Sequence, residues 1–217
     1  MTEAASQMPL VAVYADESCL GNGREGSNPG GAAGLIEYFN PATERLSRFD
    51  YWVSEPATTN NRMALRSAIE AIRVLSRKGT RFRVSFTSDS QYLVKGGSEW
   101  LYGWISRGWK RKEGVIENLE LWKQLVAVVN DGGHQIMWRW VRGHKGHAQN
   151  EYANDLAVRA AREQTSSDGA VTSGFEAWLV EERKKGRMHG EPEEFPQSQS
   201  FRGSRPFPNG GTASLVF

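Results

Sequence analysis

The chain has 217 residues, with 27 Lys and Arg against 25 Asp and Glu and a net charge of +2. That length admits one ordinary domain plus an extension, the charge excludes a global basic field for holding nucleic acid, and the single cysteine, Cys19, excludes an internal disulfide and fits a reducing compartment. No run approaches the roughly 20 apolar residues of a membrane span, and "MTEAASQMPL" has neither the basic start nor the apolar run of a signal peptide, so the expectation is a cytoplasmic monomer with no membrane partner.

In chain order, "LVAVYAD" (Leu10 to Asp16) is a short, mostly apolar run ending in an acid and reads as a strand. After the glycine-rich "GNGREGSNPGG", the segments "AAGLIEYF" and "RLSRFDYWV" alternate as two further strands, joined by the turn sequence "NPATE". The three predict an antiparallel meander. From Asn61 to about Ser76 the period becomes helical, with Leu65, Ile69, Ile72 and Leu75 at the required offsets and Thr58 to Asn61 as cap candidates. "RFRVSFTSD" is a fourth strand, again ending in an aspartate, and "SQYLVKG" starts another helix. "EWLYGWISRGWKRKEG" is short, aromatic and basic; "IENLELWKQLVAVV" is an amphipathic helix, "HQIMWRWVRG" a fifth strand and "NEYANDLAVRAAR" a last helix. The order predicts a mixed sheet with helices on its faces. After "REQTSSDGAVTSG", which ends at Gly174, the composition shifts: a short helix is expected over 175–186, and the Pro-, Gly-, Ser- and Gln-rich remainder is expected to be disordered.

Asp16 and Asp89 each close an apolar strand, where side chains are exposed yet held by a rigid frame. Two carboxylates brought together there repel unless a cation lies between them, and magnesium suits such a site; singly, an aspartate in such a place is more often a helix cap or turn former than a ligand. His144 and His147 stand in a loop before a helix. Their spacing is compatible with zinc, but no cysteine or third histidine lies nearby, and one histidine moving protons beside a magnesium site fits better. In "WISRGWKRKEG", Trp104, Arg107, Trp109, Lys110, Arg111 and Lys112 suit either a phosphate backbone or a solvated face with its tryptophans turned inward.

Together and in order, "YADESCLGN", "TTNNRMALRSA", "SDSQYL", "WISRGWKRK", "LWKQL" and "WRWVRGHKGHAQNEYANDLA" resemble ribonuclease H of type 1, over about Leu10 to Arg162. The resemblance implies an α/β fold of the RNase H type, with a five-stranded mixed sheet of three antiparallel and two parallel strands. It occupies residues 10–163, after a tail at 1–9 and before an extension at 164–217. It further implies hydrolysis of the RNA strand of RNA/DNA hybrids, with two Mg2+ (or Mn2+) ions about 4 Å apart. Carried over by motif, Asp16 and Asp89 ligate metal, and His144 aids proton transfer or product release. Cys19, Asn22, Asn60, Asn61 and Gln91 fall where the family contacts the hybrid through RNA 2′-hydroxyls and the minor groove. Thr59, Asn61 and Arg62 match a pocket that seats a DNA phosphate at a helix start. "SRGWKRK", with Arg107, Lys110, Arg111 and Lys112, matches the basic protrusion that strengthens hybrid binding, and Trp104 is assigned to the same contact surface.

Three positions depart from the family pattern. Ala64 stands where a bridging glutamate is expected, Asn154 where an aspartate is expected, and Glu17 where glycine is usual. Alternation along a strand predicts that Glu17 turns to the face opposite Asp16. Asp155 lies about 100° round the helix from Asn154, and Glu70 is nearly two turns from Ala64, so none is expected to substitute. Two carboxylates against two divalent ions predict fewer or weaker metal sites and greatly reduced cleavage. The alternative is a catalytically impaired module that binds RNA/DNA hybrid.

Overall fold

The structure is a computed structural model that describes residues 8–21, 28–143 and 145–208. The expectations for Asn22 and His144, and for most of the 1–9 tail, lie outside the described residues. Strands β1 (Leu10–Cys19), β2 (Gly30–Asn40) and β3 (Arg45–Glu55) form the antiparallel meander, and β4 (Arg83–Ser88) and β5 (Gln135–Trp140) run parallel to β1. The sheet order is β5-β4-β1-β2-β3-β6. Its sixth strand, β6 (Val171–Thr172), corrects the expected five: two residues pair antiparallel with Phe49 and Asp50 of β3, too short a run to show any periodicity.

Alternation along β1 divides two cores. Val11, Val13 and Ala15 face α1 (Asn60–Ser76) and α4 (Leu119–Gly132), in a cluster with Leu65, Ile69, Ile72, Phe86 and the fully buried Trp122. Ala12 and Tyr14 face α5 (Ala148–Glu163) and α6 (Phe175–Lys184), among Leu35, Tyr152, Leu156 and Phe175. α5 lies very close on β2: a Cβ at Gly31 would stand 2.2 Å from the Ala157 carbonyl oxygen, so no other residue fits there without moving the helix. Helix α1 starts as its cap predicts, the Thr59 hydroxyl accepting the Arg62 N–H at 3.4 Å. Between β4 and α4, α2 (Gln91–Lys95) runs through a π-helical turn (Gly96–Trp100) into α3 (Leu101–Ser106).

The expectation of disorder beyond the 175–186 region is corrected for residues 187–208, which lie along the domain. Met188 joins the α5-side core and Phe195 packs against it, while Phe207 is buried in the other core. The Ser204 N–H donates to the Ile136 carbonyl at 2.7 Å, covering β5 at the sheet edge, and the Tyr102 hydroxyl donates to the Arg205 carbonyl at 2.6 Å. The composition is that of a disordered segment, yet Phe195, Phe201 and Phe207 recur every six residues and supply apolar anchors. Among the described residues no helix is long and apolar enough to cross a membrane.

Candidate active site

The parallel pairing of β1 with β4 ends at Ala15 opposite Ser88. Asp16 and Asp89 are the next residues on neighbouring strands, at the carboxyl end of the parallel part of the sheet, the usual location of sites in such folds. β1 continues beyond β4 to Cys19, paired there only with β2. This overhang brings in a third acid. Ligand oxygens of Asp16, Glu17 and Asp89 all lie within 4.8 Å of one another, with Asp16 buried and the other two partly exposed.

The expectation that the Glu17 side chain projects away from Asp16 and Asp89 is therefore corrected. Strand alternation does send Glu17 to the face of Val11, Val13 and Ala15, opposite Asp16, but that is the face on which α1 packs and on which Ala64 is fully buried. Past the end of β4 no strand separates the two faces. The long glutamate side chain reaches round that end to Asp89 and Ser90, with which it forms a hydrogen bond.

Asp16 is held from two sides. Its Oδ1 accepts the Glu17 N–H at 2.7 Å, and its Oδ2 accepts from Asn150 Nδ2 at 3.1 Å. Asn150 also donates to the Ala15 carbonyl at 3.4 Å. Burial, then the charge of Asp89, pushes the Asp16 carboxyl up to about 8. Burial, then Asp16 and Asp89, holds Glu17 well above the usual carboxylate range. Asp16 and Glu17, so disfavoured as anions beside Asp89, fit a hard divalent cation, which takes carboxylate oxygens and offsets their repulsion. Gly143, the residue before His144, lies against the same carboxylates: a Cβ there would stand 2.1 Å from Asp89 Oδ2, so a larger residue would displace that oxygen.

Asn154 lies one turn along α5 from Asn150, partly buried. Asp155 is exposed and accepts from Trp178 Nε1 at 2.7 Å, tied to α6, and Glu70 pairs with Arg73 on the flank of α1. At the start of α1, Thr59, Asn60, Asn61 and Arg62 stand together; Asn60 Oδ1 is buried without a partner among the described residues, and Arg62 and Arg66 both engage Glu55. Cys19 ties the end of β1 to this region, its thiol donating to the Thr58 carbonyl at 3.4 Å. Gln91 is exposed at the first turn of α2, directly after the Asp89–Ser90 pair. Arg107, Lys110, Arg111 and Lys112 are all exposed. Trp104 is not: it is buried, with ring centroids 5.7 Å from both Trp100 and Trp122, so its assignment to the contact surface is corrected. The i, i+4 spacing of Trp100 and Trp104 carried that signal. Asn150 also escaped sequence reasoning, although it stands four residues before Asn154 and so on the same helix face.

The RNase H family model matches residues 8–162. The chain belongs to the RNase H family. It is 40% identical over 168 residues to a ribonuclease H of Syntrophotalea carbinolica, covering 77% of this chain and 99% of that one. It is 39% identical over 174 residues to the ribonuclease H of Chromohalobacter salexigens, covering 80% and 97%. In three dimensions it is similar to LC9-RNase H1, described as "a type 1 RNase H with the type 2 active-site motif", with a TM-score of 0.84 and 60% identity over 93% of this chain and 94% of that one. Family and fold make this RNase H an enzyme of the class that cleaves the RNA strand of RNA/DNA hybrids, a family that generally uses divalent metals.

Proposed function

We propose that this RNase H is a competent, metal-dependent endonuclease on RNA/DNA hybrids, in which Glu17 on β1 supplies the carboxylate that Ala64 on α1 lacks. The convergence of Asp16, Glu17 and Asp89 within 4.8 Å carries the reading. It replaces the impairment expected from two carboxylates with a set of three, to which Asn154 adds a neutral amide oxygen. The relative described as a type 1 enzyme with the type 2 active-site motif supports a relocated acid, since the adjacent Asp16–Glu17 pair is this chain's own departure from the type 1 pattern.

Asp16, Glu17 and Asp89 would hold Mg2+ or Mn2+, which supplies Lewis acidity and a water of lowered pKa when bound. Asn150 fixes Asp16 Oδ2, and the Glu17 N–H fixes Oδ1, so Asp16 is pre-aimed. Gly143 brings the segment preceding His144 against Asp89, which favours His144 as the group that carries a proton to the leaving oxygen. Thr59, Asn61 and Arg62 seat a DNA phosphate at the N-terminus of α1. Cys19, Asn22, Asn60 and Gln91 read the minor groove, and Arg107, Lys110, Arg111 and Lys112 meet the backbone.

A hybrid with labelled RNA, incubated with the chain in Mg2+ or Mn2+, tests this directly: internal cuts confined to the RNA strand are expected. Salt-dependent binding that prefers hybrid over DNA duplex, without any cleavage in either metal, would favour the binding-module reading instead.

A further inference from the structure

We propose that Glu193, in the C-terminal extension, is a positioning residue for the carboxylate site, acting through His147 and the first turn of α5 on Asn150 and Asp16; this rests on the reading of that site as the catalytic centre. The extension crosses the start of α5 as a strap. Met188 is buried in the α5-side core on one side of Glu193, and Phe195 packs against it on the other. The strap lies so close to the preceding loop that a Cβ at Gly190 would stand 3.0 Å from the Gly146 carbonyl oxygen.

Between these anchors Glu193 is gripped by both backbone and side chain. Its N–H donates to Gln149 Oε1 at 3.0 Å, and its carbonyl accepts from Gln149 Nε2 at 2.8 Å, with Gln149 fully buried. Its carboxylate accepts from Arg139 at the end of β5 and from His147 Nε2 at 2.9 Å. Burial opposes its ionisation, but those two bonds outweigh it and hold the carboxyl below its ordinary range, so at neutral pH it is a fixed anion.

His147 caps α5: its Nδ1 accepts the Asn150 N–H at 3.4 Å, which leaves Nε2 to carry the proton given to Glu193. Its ring lies beside buried Tyr14, with centroids 5.5 Å apart. Asn150, only 2% exposed, is the residue whose Nδ2 holds Asp16 Oδ2. Three linked contacts thus run from the extension to the carboxylate site. Met188 and Phe195 alone would fasten the strap; the anion adds a defined histidine tautomer and a fixed helix start, as partners behind the ligands do in metal sites.

The full chain is compared with Glu193→Ala, Glu193→Gln and Glu193→Asp, below the melting temperature of each, by three readouts. These are the ring-nitrogen shifts of His147, Mn2+ affinity without substrate, and kcat and KM on a hybrid. The parent is expected to show the Nε2-protonated tautomer, and Glu193→Ala a mixture. Mn2+ affinity and kcat are expected to fall about tenfold in Glu193→Ala, with KM within about twofold because hybrid contacts lie elsewhere. Aspartate recovers part of each loss, and glutamine, able to accept from only one of the two donors, falls between. If the alanine variant does not fold, the glutamine and aspartate variants carry the same comparison. Unchanged tautomer, Mn2+ affinity and kcat alongside a lowered Tm would show the strap to be a fastener and overturn the proposal. A parent that does not cleave refutes the catalytic reading, while tautomer and Mn2+ affinity still decide the link to Asp16.

Discussion

Asp16 and Glu17 leave β1 on opposite faces, yet their carboxylate oxygens meet within 4.8 Å of each other and of Asp89, because β1 outruns β4 by several residues. A strand that ends level with its neighbour would keep two adjacent side chains apart. Here the missing neighbour opens a path round the strand end, and glutamate is long enough to take it.

The crowding predicts a dependence of stability on pH. In cation-free protein the folded-state pKa of Asp16 is raised to about 8 and that of Glu17 is raised well above normal, against about 4 in the unfolded chain. A raised carboxyl stabilises the fold fully below its unfolded pKa, and that stability is lost as pH rises through the folded value. Melting in EDTA is therefore expected to drop between about pH 4 and 8, and added Mg2+ to restore more at pH 8 than at pH 5. Equal Mg2+ effects at both pH values would contradict the arrangement.

His134 has the opposite slope. It is buried, its Nδ1 accepts the Phe82 N–H at 3.1 Å, and its Nε2 meets the Ser76 hydroxyl at 2.9 Å, with burial lowering its pKa. Its contribution is fully present above the unfolded pKa of about 6.5 and is lost as pH falls through the lower folded value. His134→Asn is expected to flatten that acid limb and to cost about 1–3 kcal/mol at neutral pH, read by urea unfolding at a series of pH values.

Legibility from sequence followed the range of the interactions involved. The meander, the cap at Thr59 and the placing of Asp89 directly after β4 rest on local periodicity and are seen in the structure, whereas β1, expected to end at Asp16, runs on to Cys19. Glu17 escaped because the position of its carboxylate depends on where β4 stops relative to β1, a relation between segments about 70 residues apart. Trp104 lies in a basic run but is claimed by Trp100 and Trp122 from the core side. The extension has the composition of a free tail, and only its docking partners, such as Ile136 and Gln149, give its phenylalanines and backbone somewhere to go.

The docked extension carries its own prediction. Phe207 is 6% exposed among the residues of the α1-side core, so Phe207→Ala is expected to cost about 3 kcal/mol, the lower end for a buried phenylalanine. A shift in urea midpoint at unchanged slope is the signature. A neutral result would mean that this part of the extension does not stay on the domain.

Glu17→Ala removes one of three acids, and with it a few kcal/mol of the charge stabilisation a divalent site provides, so a loss of at least about 100-fold in cleavage is expected. Glu17→Gln keeps the shape and relieves the repulsion, so in EDTA at pH 8 it is expected to melt higher than the parent while cleaving no better than Glu17→Ala.

The most direct test of the central claim is the cleavage rate on an RNA/DNA hybrid of the parent, Glu17→Ala, and Glu17→Ala combined with Ala64→Glu. If Glu17 stands in for the acid absent from α1, the parent cuts, the single variant loses at least about 100-fold, and returning a glutamate to α1 restores a substantial part of the rate. A parent that does not cut, or a Glu17→Ala variant that cuts as well as the parent, would contradict it.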